Sequence, residues 1–319
     1  MKNGALVISL DFELVWGLFD HIRIQDKVSY FNNTLEVIPR IIDIFEKNSI
    51  NATWATVGML FNENWEEWHS NIPEIIPTYT RKEFDAYEYG KRHLKLGLEK
   101  FFFAPNLIKT IQSVNGQEIG THTYSHYYCL EDGQTKAQFE ADINQCIKIA
   151  SKFDIQLKSL VFPRNQFNQE YLGICAQKEI ETVRSNPKFW YWDTTKKGTL
   201  AIKIARTADA YLPFEKKSYS TESLILDTVF CQQASRFLRP QHSIAILNDA
   251  RLNRIKREMI QAAKCQEVYH LWWHPHNFGV DQAGALKALV VIAETFNYCN
   301  ETYGMESLTM KKLRDNLYK

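Results

Sequence analysis

Asp11 and Glu13 follow the apolar run Ala5-Leu6-Val7-Ile8, so two carboxylates stand where a buried strand should end. Strand side chains alternate, and at i and i+2 the two acids share a side if the strand is still regular there. Such a pair repels itself unless a cation or a proton intervenes. The plainer alternative is an acid that caps the next helix or pairs with Lys or Arg. His122 and His126, in His-Thr-Tyr-Ser-His, are spaced so that one helical turn or a tight loop turns both imidazoles to one side, as a divalent metal requires. Each could instead be a hydrogen-bonded core histidine. His274-Pro275-His276 follows another strand-like run; beyond a polar turn, a free imidazole there suits a general acid. Arg164, in Phe162-Pro163-Arg164, could orient a carboxylate by charge-assisted hydrogen bonds or be an ordinary surface arginine.

These groups need a framework that brings them together. Gly4 to Leu10 reads as a strand covered on both faces, Ile38 to Phe45 as a helix with Pro39 in its first turn, and Ile50 to Gly58 as a second strand. Strand, helix, strand over that length is a βαβ unit with parallel pairing. Further strands are expected at Leu157 to Phe162, near Glu181 to Arg184 and at Glu267 to Trp273. Long helices are expected after His126 (Phe139, Ile143, Cys146, Ile147, Ile149) and near the end (Leu286, Leu289, Ile292, Phe296). The stretch 62–115, with Trp65, Trp68, Tyr87, Tyr89 and Phe101-Phe102-Phe103, breaks this rhythm and reads as an insertion: a lid, a substrate wall or an added packed segment. One α/β domain over 1–319 is the simplest account. In parallel α/β folds the carboxyl ends of strands carry the site, and there the acid pair, His pair, Arg164 and His274 all fall. A carboxylate with two histidines and open positions is a catalytic metal set.

The 319 residues carry 38 basic and 37 acidic side chains, a net charge of +1, which argues against a dedicated nucleic-acid or membrane-surface binder. The 8 Trp, 15 Tyr and 19 Phe would fill a core, and the indoles and phenols also suit stacking on sugar faces. Cysteines 129, 146, 175, 231, 265 and 299 form no C-x-x-C pair, and reduced structural thiols are expected. The N-terminal apolar stretch is too short for a signal peptide and no run reaches about 18 apolar residues, so a cytoplasmic location without an integral membrane segment is expected. The sequence says nothing of oligomeric state.

With these motifs in chain order, the sequence resembles the polysaccharide deacetylases with the NodB homology domain, carbohydrate esterase family 4, of bacterial surface-glycan type. His122-Thr123-Tyr124-Ser125-His126 matches the family's H-[ST]-x-x-H motif, Leu271-Trp272-Trp273-His274 its late Leu-x-His motif, and Phe162-Pro163-Arg164 its Arg motif. The family's usual Asp-Asp is here Asp11-Phe12-Glu13. The resemblance implies a distorted (β/α) barrel of about seven parallel strands. It implies Asp11 as base, Glu13, His122 and His126 as metal ligands (Asp11 and Glu13 exchangeable), Arg164 as the orienting residue, and His274 as acid with His276 as runner-up. For the residue that buttresses the acid, Arg184, Asp193 and Arg239 are candidates. The implied cofactor is a divalent ion, Zn foremost, with Co, Ni, Fe or Mn admissible. The implied reaction is hydrolysis of an N-acetyl or N-formyl group on an amino sugar of a glycan or its precursor. A small cyclic amide or nucleotide-linked sugar as substrate, or a non-catalytic carbohydrate-binding relative, are the alternatives.

Overall fold

A computed structural model describes residues 3–187, 189–192, 199–212, 216–221 and 229–318. Its frame is a parallel sheet: β1 (Ala5–Phe12), β2 (Ala52–Thr56), β3 (Gln117–Thr121), β4 (Ser159–Leu160), β5 (Thr182–Ser185), β6 (Phe230–Gln233), β7 (Arg236–Phe237), β8 (Val268–Trp273) and β9 (Glu306–Leu308). The strand order is β6-β5-β4-β3-β2-β1-β8-β7. The two ends of that path are consecutive in the chain. Between them Ala234 N–H bonds to Ser185 and Ser235 N–H to His270. The segment 230–237 therefore pairs with β5 through its first half and with β8 through its second. Counted as one bent strand, it closes a distorted barrel of seven.

Alternation divides the core in two. Leu6, Ile8, Leu10 and Phe12 of β1 face outward into the large cluster shared with the helices. These are α1 (Val28–Lys47), α2 (Trp65–Ser70), α3 (Ala86–His93), α4 (Pro105–Ser113), α5 (Lys136–Ser151), α6 (Gln169–Gln177), α7 (Leu200–Ala208), α8 (Ala245–Lys264), α9 (Gln282–Tyr303) and α10 (Met310–Leu317). Ala5 and Val7 face inward, packing with Val268, Phe230, Leu308, Met310 and Leu313. β9 pairs with the first half of β1 and α10 follows it, so the chain's end plugs the amino-terminal mouth of the barrel. Above this apolar floor, Ser9, Thr53, Thr182, Arg184, Gln232 and His270 are buried polar residues of the strands. The floor closes this mouth of the barrel and leaves the other, at the carboxyl ends of the strands, open to a site.

Several boundaries differ from expectation. α1 starts at Val28, which puts Pro39 inside the helix rather than in its first turn. An interior proline costs about 3 kcal/mol; the unbroken buried stripe Phe31, Thr34, Val37, Ile38, Ile41, Ile42, Phe45 outweighs it, since each such apolar side chain contributes about 1.5–3 kcal/mol. β1 runs on through Asp11 to Phe12, and β4 shrinks to two residues because Pro163 soon ends it. The insertion is a packed aromatic unit. Trp16 Nε1–H donates to the Phe102 carbonyl at 2.8 Å, Trp16 stacks on Trp68, and Trp65 meets Phe102 and Phe103. No disulfide joins the six cysteines. Among the described residues no helix is long and apolar enough to cross a membrane.

Candidate active site

Asp11 is the last inward-facing residue of β1, and Glu13 follows one step beyond the strand, each under 4% exposed. His122 comes immediately after β3. Its Nδ1 lies 2.7 Å from the Val161 carbonyl, a bond only an N–H can make, so Nε2 is the ring nitrogen turned toward Glu13. His126 sits in the same loop. His122 Nε2 and His126 Nε2 lie 3.2 and 3.1 Å from one oxygen, Glu13 Oε2. In a tetrahedral cation site with bonds of about 2.0–2.1 Å, neighbouring ligand atoms stand about 3.3 Å apart; both histidine-to-carboxylate distances are close to that, and the three ligand atoms all lie within 4.8 Å of one another. Bare lone pairs facing each other in a buried place require either such an ion or protons.

The loop between β3 and α5 is held in strained conformations. Thr123 and His126 have φ of 65° and 56°. For a β-branched residue that is an outlier, which persists only where the surroundings over-determine it. Thr123 N–H donates to Thr121 Oγ1 and Tyr127 N–H to Thr123 Oγ1, while the Thr123 carbonyl accepts from Gly58 N–H. Asp142 of α5 accepts from the Tyr124 and Ser125 amides at 2.6 and 3.0 Å and from the Ser125 hydroxyl. Burial pushes its carboxyl up to about 6 against those three bonds.

The expectation that Arg164 orients Asp11 is corrected. Arg164 pairs with Asp20 and, at 3.1 Å, with Glu131, and lies over the Tyr128 ring at 4.1 Å. Its place in a turn after β4, with φ of 55°, carries the side chain outward. The arginine on Asp11 is Arg184, from the interior of β5, with two bonds of 2.7 Å to the two carboxylate oxygens. Arg184 also donates to Ser9 Oγ and Asn165 Oδ1 and lies 4.0 Å over Trp272. Of the other two candidate buttresses, Arg239 donates to the Arg206 carbonyl, and Asp193 lies outside the described residues.

Burial alone would raise the Asp11 carboxyl; the Arg184 guanidinium overcomes that and holds it below its usual range. Glu13 is held well below its usual range, against burial, by His274 and by hydrogen bonds from His122 and His126. His274 and His276 arrive at the end of β8. His274 Nε2 lies 3.6 Å from Asp11 Oδ2 and 3.7 Å from Glu13 Oε1, and His276 Nδ1 lies 3.6 Å from Glu13 Oε1. The His274 side chain is 25% exposed and that of His276 only 4%. Burial, with His274 beside it, pushes His276 down to about 3.

Ser9, His270 and Asp142 belong to this assembly and are absent from the sequence reading. His270 shares a hydrogen bond of 2.8 Å with Ser9, which links it to Arg184 and Asp11. Counting by two would find the first two: Ser9, Asp11 and Glu13 are one face of β1 continued, and His270, Trp272 and His274 one face of β8. Beside the site, Phe19 stacks on Tyr128, whose ring meets His126. Phe19, Asp20 and Arg23 face Glu83, Glu88, Tyr89 and Arg92 of the insertion across a groove of about 700 Å³. The insertion therefore forms one wall of this groove, which reaches the site residues only through the Phe19–Tyr128–His126 ring contacts.

A search of the curated proteins finds no match. Solved structures match across the whole chain at low identity. A Mycobacterium smegmatis protein provisionally described as a polysaccharide deacetylase has 11% identity and a TM-score of 0.61, covering 100% of this chain and 91% of its own. An allantoinase (Puue) has 10% and 0.58, covering 98% and 89%. A branching enzyme of GH57 type from Pyrococcus horikoshii has 11% and 0.55, covering 99% and 71%. These likenesses speak to the barrel alone. The family model for polysaccharide deacetylase matches residues 18–183, more than half the chain, and spans the histidine loop and Arg164. The acid pair, Arg184 and His274 fall outside the match, yet the fold sets them against His122 and His126. Sequence match and convergent strand ends agree: the chain belongs to the polysaccharide deacetylase family.

Proposed function

We propose that the protein is a metal-dependent amide hydrolase that removes an N-acetyl, or N-formyl, group from an amino sugar of a polysaccharide or glycan precursor. The observation that carries the reading is one buried carboxylate oxygen within 3.2 Å of both imidazoles, beside a second carboxylate clamped by Arg184. Glu13, His122 and His126 form a donor set that suits Zn²⁺ and accepts Co, Ni, Fe or Mn. A divalent ion held there would polarise the amide carbonyl and lower the pKa of a water beside it.

Asp11 removes the proton of the attacking water. It points into the same hollow as Glu13, and the Arg184 clamp keeps it ionised and fixed in direction. His274 approaches from the β8 side and gives its proton to the leaving nitrogen, without which the tetrahedral adduct reverts to amide. It takes this role over His276 because it retains access to solvent and substrate. The groove walled by the insertion, open and lined by both charges and a tyrosine, favours a sugar chain over a small enclosed substrate.

Acetate release from an N-acetylglucosamine oligomer, measured together with bound metal, tests the assignment. His122→Ala and His126→Ala lose both metal and turnover, whereas Asp11→Asn keeps the metal and loses turnover by about 100-fold or more. Full activity in both histidine variants would sink the mechanism.

A further inference from the structure

The proposed cation site uses only one oxygen of Glu13. Oε2 faces His122 and His126, while Oε1 faces a second pair, His274 and His276, at 3.7 and 3.6 Å. The second pair is built as a ligand set. Its rings stack with 9° between their planes and centroids 4.9 Å apart, which sets their edges side by side toward Oε1. His276 Nδ1 is fully buried and has no hydrogen-bond partner. Buried polar atoms are seldom left so, and this one points at a carboxylate too far away to bond it directly. Asp11 Oδ2 lies 3.6 Å from His274 Nε2. The donor atoms of Glu13, His274 and His276 all lie within 4.8 Å of one another.

We propose that Glu13 bridges two cations: Oε1, His274 Nε2 and His276 Nδ1 form a second site for a divalent transition-metal ion, and its filling silences His274 as proton donor. Imidazole and carboxylate donors suit Zn, Cu, Ni and Fe rather than Mg or Ca. Charge orders the two events. Asp11 and Glu13 against Arg184 leave the hollow at −1; a first divalent ion brings it to +1, so a second enters against net positive charge and binds more weakly. An imidazole whose Nε2 lone pair is on a metal carries no proton there for a leaving amine. Excess metal thus becomes an inhibitor of the protein it activates. The inference rests on the reading above, because both ions share Glu13.

The test is a calorimetric Zn²⁺ titration of the full, metal-stripped chain, with bound metal counted. The wild type takes up two ions, one tightly and one weakly, and turnover rises with the first and falls with the second. His276→Phe takes up one, and the fall at excess Zn²⁺ disappears. Should that variant not fold, His276→Gln with Co²⁺ gives a second reading: the second equivalent changes the visible spectrum of the wild type but not of the variant. A single ion in the wild type, unchanged in the variants, overturns the second site while leaving the first. No bound ion in any form overturns both.

Discussion

The Glu13 side chain lies over a residue that has none. A methyl group placed on Gly17 would stand 1.9 Å from Glu13 Cδ and 2.0 Å from Oε1, so only glycine leaves room for the carboxylate to turn toward the histidines. Gly17→Ala is therefore expected to spare the fold, because the long side chain can swing away, and to lower metal affinity by about 10–100-fold, the usual cost of disturbing a ligand's support. A dialysis or calorimetric measurement checks this, with a thermal melt as control; unchanged affinity would show that Glu13 is not a ligand. Residues at this scale were unevenly legible. The acids and histidines could be read because each closes a strand, where alternation or short spacing fixes the direction of the side chain. The arginine could not. Arg164 was favoured by its local motif, but a turn with positive φ aims it at Asp20 and Glu131, while Arg184, inside a strand, has no escape from the barrel and must find a buried anion.

At the scale of elements, the histidine loop depends on a carboxylate that no motif announces. Asp142 stands mid-helix in α5 and reaches back to the Tyr124 and Ser125 amides, just before His126. A sequence read for apolar periodicity treats such a residue as the polar face, and only the packing of α5 against the loop reveals it. Its folded pKa, raised from 3.8 to about 6, fixes the sign of a pH effect. A raised carboxyl binds its proton more tightly in the folded state, so its stabilisation is complete below about pH 4 and is lost as pH rises through 6. About two pKa units correspond to roughly 3 kcal/mol. Urea unfolding should thus find the stability of the wild type relative to Asp142→Asn larger at pH 4 than at pH 7 by on the order of 3 kcal/mol. A difference that is flat or grows with pH would contradict the burial argument. At neutral pH the variant also leaves one loop donor unsatisfied, costing about 1–3 kcal/mol and loosening His126.

The whole molecule explains why a site at one mouth needs a plug at the other. The parallel barrel was legible from repeated strand and helix patterns, and from the family resemblance. Its closure was not, because no strand is expected over the segment 230–237 that completes it, and its partners, β5 and β8, lie far apart in sequence. The role of the chain's end was equally hidden: Ser307 to Met310 gives little local sign that it would lie beneath β1. There Met310 N–H donates to Thr53 Oγ1, and the Met310 carbonyl accepts from Gln232, a residue of the polar layer directly under the site. Ending the chain after Tyr303 would remove β9 and α10, leaving Ala5, Leu6 and Val7 paired with β8 but not with β9, and uncovering the barrel floor. Met305, Leu308, Met310 and Leu313 are all at least 95% buried. At about 1.5–3 kcal/mol each they amount to roughly 6–12 kcal/mol, comparable with the entire stability of an ordinary domain, about 5–15 kcal/mol. The truncated chain is expected to lose its cooperative unfolding transition, and the metal site with it, although the removed strand and helix lie at the opposite mouth of the barrel. Circular dichroism melts with bound-metal analysis decide the matter. A truncated chain that still melts cooperatively and still binds its ion would show that the strands assemble without their floor.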